Sequence, residues 1–140
     1  MHAILTAYSD YSPGYSILKI PELVAEAKRL GQRAVGLTDI MSVNGLVELT
    51  QECDKADIQP IIGATLRICT DINWRKTKDG PKKPPDYYIR WYVRTEAGLK
   101  ELYNLLSFAN SAERFYQEPR LTIDDVLLAV KESRGGGIIT

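Results

Sequence analysis

Histidine is nearly missing from this chain: the only one is His2. Imidazole is the usual neutral-pH base and a common metal ligand. Its scarcity leaves Ser9, Ser12 and Ser16 without the general base that a serine nucleophile needs. Cysteine is also scarce. Cys53 and Cys69 have neither a CxxC spacing nor a cluster of partners, and they read as buried free thiols in a reducing compartment. No sign of charge is in excess, with Lys+Arg and Asp+Glu both at 18, so no global field draws the chain to nucleic acid or membrane. Runs of 18 apolar residues are missing, and the start lacks a basic segment followed by an apolar one. These absences predict a cytoplasmic protein with no membrane contact. Glycines are scattered singly at 31, 36, 45 and 63, which excludes a phosphate-cradling loop, and the triple glycine at 135–137 reads as a turn.

What is present is an ordinary globular composition, 44% hydrophobic and 26% charged over 140 residues, enough for one domain with its own core. Residues 3–7 form a short apolar run that predicts a buried parallel strand. Pro21 suits the first turn of a helix in which Ile20, Leu23, Val24, Ala27 and Leu30 recur at helical spacing, with Gly31 as its stop. Residues 33–38 predict a second strand. Leu46, Val47, Leu49 and Cys53 predict a second helix with Ser42 or Asn44 near its cap, and Gln59 starts a third strand that continues toward Cys69. This βαβαβ order predicts a parallel sheet with helices outside it.

Residues 73–86 interrupt the pattern with Arg75, Lys76, Lys78, Lys82 and Lys83 among three prolines, and read as a mobile loop. A strand over 87–93 follows, then a helix over 97–110 capped by Thr95. A second helix begins at the Thr122-to-Asp125 capping arrangement. The apolar pair Ile138-Ile139 opens one more strand, so the order reads as stopping partway through a repeating β-α architecture.

Several segments in this order carry a resemblance: Tyr8-Ser9-Asp10-Tyr11-Ser12, residues 34–39 ending in Thr38-Asp39, Asn44-Gly45-Leu46-Val47-Glu48, and residues 58–63 ending in Pro60-Ile61-Ile62-Gly63. The chain resembles the PHP (polymerase and histidinol phosphatase) domain family, closest to the domain that begins bacterial DNA polymerase III alpha subunits. The resemblance implies a partial or open β/α barrel, the N-terminal portion of a PHP barrel over residues 1–140. In such domains a metal cluster sits at the carboxyl ends of the strands. Here the ligand positions read Thr6 and Tyr8 for the opening His-x-His, Tyr15 near the following Asp, Ile40 for the His of Thr-Asp-His, and Thr65 for a Glu. Tyr88 is the approximate match for a further histidine. Divalent ions need imidazole, thiolate or carboxylate donors at about 2.0–2.3 Å, and without metal the activated water is lost as well. The site is therefore expected to hold no metal and no catalytic residue, with Asp10, Thr38 and Asp39 as its remnant and the two acids bonding backbone N–H groups or capping helices.

The resemblance further implies a non-enzymatic role in DNA replication: a structural or interaction module that docks a replication partner such as a polymerase or a proofreading exonuclease, with no cofactor. Two other readings stay open. One is a metal-dependent phosphoesterase or nuclease with altered ligands. The other is a nucleic-acid-binding module acting through Arg75, Lys76, Lys78, Lys82 and Lys83. A fragment of a larger alpha subunit and a free-standing relative, such as a phage protein, fit the sequence equally. Half the length of a usual barrel would leave strand edges and an apolar face uncovered, so a partner surface is expected: either the remainder of a barrel supplied by another chain, or self-association through the strands near residues 3–7 or 137–140.

Overall fold

Proline fits the first turn of a helix because the N–H it lacks would have no partner there, and Pro21 takes that place in α1 (Ile20–Arg29). The computed structural model describes residues 3–140, so His2 lies outside the described residues. The chain divides into two compact units, one ending at Thr65 and the other beginning at Leu66.

In the first unit, Ile20, Leu23, Val24 and Ala27 form the buried stripe of α1. The helix ends at Leu30, and Gly31 takes a left-handed turn at φ 68°. β1 (Ala34–Leu37) follows, then α2 (Leu46–Ala56), which buries Leu49 and Cys53. β2 (Gln59–Cys69) runs parallel to β1, with Ala34 opposite Gln59 and Leu37 opposite Ile62. α1 packs against both α2 and β1. The core joins the α1 stripe to Val35, Leu37, Leu49, Cys53 and Ile58.

Two local expectations are modified in this unit. Residues 3–7 make only a single parallel bridge, Ile4 opposite Val35, with Gly36 N–H donating to Ile4 O at 2.6 Å and Thr38 N–H to Ala7 O at 2.8 Å. Gly36 permits this approach, since a Cβ there would lie 2.2 Å from Leu5 O. Helix α2 takes Gly45 as its N-cap, without a side-chain cap. Ser42 Oγ is occupied by Asn44 N–H at 3.1 Å, a local bond that competes with capping.

The second unit holds the last residues of β2, then β3 (Asp86–Val93), α3 (Glu96–Ala109), α4 (Ile123–Glu132) and β4 (Gly137–Ile139). Thr95 Oγ1 accepts from Gly98 N–H at the start of α3, and Thr122 with Asp125 closes a full capping box on α4. β4 lies antiparallel to β3, with Trp91 opposite Ile139 and Val93 opposite Gly137, so the parallel expectation does not extend to this pair. The reason is topological. One helix between strands returns the chain for a parallel entry, whereas the two helices α3 and α4 bring it back at the opposite end. Gly137 is required at this entry because a Cβ would lie 2.0 Å from the fully buried Trp91 ring. Cys53 and Cys69 are free and buried. No helix among the described residues is long and apolar enough to cross a membrane.

Candidate functional site

β1 passes directly into Thr38 and Asp39, and β2 carries Thr65 just past its pairing with β1, so these residues meet where the parallel pairing ends, at the carboxyl end of β1. Such strand ends are where open α/β folds place ligands. Asp39 is buried and serves as an acceptor. Its Oδ1 takes Ser9 N–H at 2.7 Å and Ser12 Oγ at 2.6 Å, and its Oδ2 takes Ser9 Oγ at 2.7 Å. Ser12 Oγ also accepts from Ile40 N–H at 2.9 Å, and Ser9 Oγ accepts from Tyr11 N–H at 3.2 Å. Asp39 is thus the organiser of the turn after residue 8. It tethers that turn to the end of β1.

Thr38 is buried, and both its N–H and its hydroxyl point to Ala7 O, at 2.8 and 3.3 Å. Thr65 is buried and donates its hydroxyl to Thr38 O at 2.8 Å, while its N–H bonds Asp39 O at 3.0 Å and its O accepts from Met41 N–H at 2.9 Å. Ile40 faces Thr65 in a parallel bridge. Tyr8 is half-buried, and its hydroxyl stands 3.5 Å from Thr65 Oγ1, too long to hold either group firmly. Thr6 is exposed, and Tyr15 is 59% exposed. Asp10 forms an ion pair with Lys19. Of the residues singled out in the sequence, Tyr8, Thr38, Asp39, Ile40 and Thr65 therefore converge. Sequence reasoning weighed Ser9 and Ser12 only as nucleophiles and missed their role as donors to Asp39. Nothing in a Ser-x-x-Ser spacing marks it as the donor set for a carboxylate nearly thirty positions on.

This donor set does not fit a divalent metal. A carboxylate offers about four acceptor positions, and three of those on Asp39 are occupied at short distance. The neighbouring side chains supply hydroxyls and an alkyl group. Among the described residues no group of three or more His, Cys, Asp or Glu side chains is placed to hold an ion.

The 73–86 segment, in the second unit, is better anchored than a free loop. Trp74 meets Tyr116 edge-on with ring centroids 6.4 Å apart, and its Nε1–H donates to Pro81 O at 3.1 Å. The guanidinium of Arg75 lies 4.7 Å from the Tyr116 centroid and that of Arg120 lies 5.3 Å from it. Lys76 N–H donates to the Tyr116 hydroxyl at 3.0 Å. Lys83 Nζ reaches Asp86 at 2.7 Å and Glu118 at 2.6 Å, and both carboxylates also pair with the buried Arg67. Asp86 first and then Glu118 hold the Lys83 ammonium above its ordinary range. Burial pushes the Glu118 carboxyl up, but the Lys83 hydrogen bond and the Arg67 charge outweigh it and leave the group below its ordinary value. All five basic residues are exposed, and Arg75 and Lys83 also engage Tyr116, Asp86 and Glu118 through their side chains.

Comparison with known proteins identifies the family. The PHP domain model matches residues 5–139, and the chain belongs to the PHP domain family. It is 31% identical over 122 residues to the DNA polymerase III subunit alpha of Borreliella burgdorferi, covering 87% of this chain and 10% of that protein. It is 35% identical over 139 residues to the subunit of that name from Aquifex aeolicus, covering 96% of this chain and 12% of the other. The chain spans about a tenth of the length of these curated relatives. Among solved structures, a protein provisionally classed as a metal-dependent phosphoesterase, from Bifidobacterium adolescentis, superposes with a TM-score of 0.51 at 20% identity over 93% of this chain and 43% of its own. An amidohydrolase from Chromobacterium violaceum gives the same TM-score at 14% identity, covering 96% of this chain and 53% of the other. These likenesses establish a partial PHP-like α/β fold related to DNA polymerase III alpha.

Proposed function

We propose that this chain is a catalytically inactive PHP domain that serves DNA replication as a structural and interaction module, docking another protein of the replication machinery. The observation that carries the reading is the state of Asp39: the one acid at the centre of the strand ends is bonded by Ser9 and Ser12 and works as a folding element. The hydroxyl and alkyl side chains of Tyr8, Thr65 and Ile40 around it supply neither the ligands nor the base that phosphoester hydrolysis needs. The polymerase relatives supply the replication context.

The test is elemental analysis of the chain purified from medium supplemented with zinc, manganese and iron, together with phosphodiesterase and nuclease assays. The expected result is no stoichiometric metal and no turnover. One tightly held ion per chain, or turnover abolished by EDTA, would overturn the reading. The triple variant Thr6→His, Tyr8→His, Ile40→His is expected to stay inactive, because Thr65 and Tyr15 still leave the cluster incomplete.

A further inference from the structure

Helices α3 and α4 pack against each other in the second unit and leave a groove between them of about 260 Å³. Leu105 and Ala129 are its buried lining residues, and Phe108 and Leu128 are its exposed apolar ones, Leu128 at 59%. Its two ends differ in charge. At one end Arg114 stacks on the Phe108 ring at 4.6 Å and pairs with Asp125 at 2.9 Å, so the charge there is internally neutralised. This contact also sets the end of α3 beside the start of α4. Glu101 lies about two helical turns before Phe108, and Glu132 about two turns after Asp125, so both residues lie toward the other end. Both line the groove, and neither has a cationic partner among the described residues; Glu101 accepts only from the Asn104 amide, at 3.2 Å. No lysine or arginine lines the groove.

We infer that the α3–α4 groove is a docking site for a cationic amphipathic helix of a partner protein. Its leucine-type side chains would enter between Phe108 and Leu128, and its lysine or arginine side chains would meet Glu101 and Glu132. The inference rests on the interaction-module reading and gives it a surface and a partner chemistry. An apolar floor selects i, i+3 or i+4, and i+7 anchors. The uncompensated pair of carboxylates selects the sign of the flanking charge and speeds encounter. An anionic or uncharged helix would bury the same apolar area while leaving that pair unanswered.

The probe is a labelled synthetic peptide of about four helical turns with leucine at i, i+4 and i+7 and lysine over the remaining face. Its controls carry glutamate in place of lysine, or the same residues in scrambled order. Fluorescence anisotropy and amide shift mapping on the full chain are expected to show saturable binding of the lysine peptide only. The shifts should be confined to α3 and α4. Leu128→Ser, at an exposed position, and Glu101→Lys with Glu132→Lys should each weaken binding by about tenfold, with melting unchanged. Equal binding of the scrambled or glutamate peptide would overturn the proposal, as would shifts spread over the surface or an affinity indifferent to Leu128→Ser. Self-association abolished by Leu128→Ser, with no peptide bound, would overturn it too by making a second copy the occupant. Any of these failures alongside a metal-free, inactive chain removes this groove only, whereas bound metal with turnover removes the broader reading.

Discussion

At the scale of single residues, Asp39 separates a metal ligand from a folding element. Asp39→Ala leaves the Ser9 N–H and the Ser9 and Ser12 hydroxyls without their acceptor in a buried place. An unsatisfied buried donor costs about 1–3 kcal/mol, and hydroxyls recover part of this by rotating, while the fixed N–H cannot. The expected loss is about 3 kcal/mol by urea unfolding, measured in EDTA so that no metal contributes. Asp39→Asn, which keeps an accepting oxygen, is expected to lose less than half of that. Unchanged stability of Asp39→Ala would show that the carboxylate does not organise the turn. Part of this was legible in the sequence: two strand ends carrying Thr38-Asp39 and Thr65, with aspartates expected to bond backbone N–H groups. The hydroxyl donors were not, because a bond between positions 9 and 39 depends on strand pairing and not on any local pattern.

At the scale of elements, helices were the more readable part. Pro21 and Gly31 bracket α1, and Thr95 and Thr122 start α3 and α4, because capping chemistry is local. Thr122→Ala is accordingly expected to cost about 1 kcal/mol, read as a shift in the urea midpoint with unchanged slope. The 73–86 segment was less readable, since its anchors, Tyr116 and Glu118, lie more than thirty positions away in a stretch with no periodicity. Replacing Lys76, Lys78 and Lys82 together by Ala should leave melting unchanged. If the loop touches nucleic acid or an acidic partner, the same change weakens that binding and lowers its salt dependence. Lys83→Ala should lower melting, because it leaves Asp86 and Glu118 with one cation fewer. The network also has a pH window. Glu118 titrates lower in the fold than unfolded, so its contribution is present above the ordinary carboxylate pKa of about 4.3 and is lost as pH falls through the folded value. Lys83 titrates higher in the fold, so its contribution is complete below about 10.4 and is lost as pH rises through the folded value. Melting against pH should therefore fall on both sides of this window, and Lys83→Ala should flatten the alkaline limb. An alkaline limb unchanged in that variant would assign the loss to other groups.

At the scale of the whole molecule, exposed edges matter: in the second unit β4 pairs with β3, and among the described residues no strand lies on its other side. An outer strand presents backbone N–H and C=O groups that pair readily with another chain unless a charge, a proline or a bulge blunts the edge. Gly137, Ile138 and Ile139 carry none of these, and Ile138 is 43% exposed. Two copies meeting edge to edge through β4 would form an isologous antiparallel pair, the commonest closed symmetry for identical chains. The strand is only three residues long, so few bonds form and the association is expected to be weak and concentration-dependent. Light scattering coupled to size exclusion should show the mass rising above the 15.7 kDa of one chain as concentration increases. Ile138→Lys, which places a charge on that edge, should return the monomer mass throughout without loss of folding. A wild-type mass fixed at one chain over the whole range would show that β4 is not an adhesive edge. A rising mass that ignores Ile138→Lys would move the contact to another face, and Leu128→Ser then tells whether that face is the α3–α4 groove.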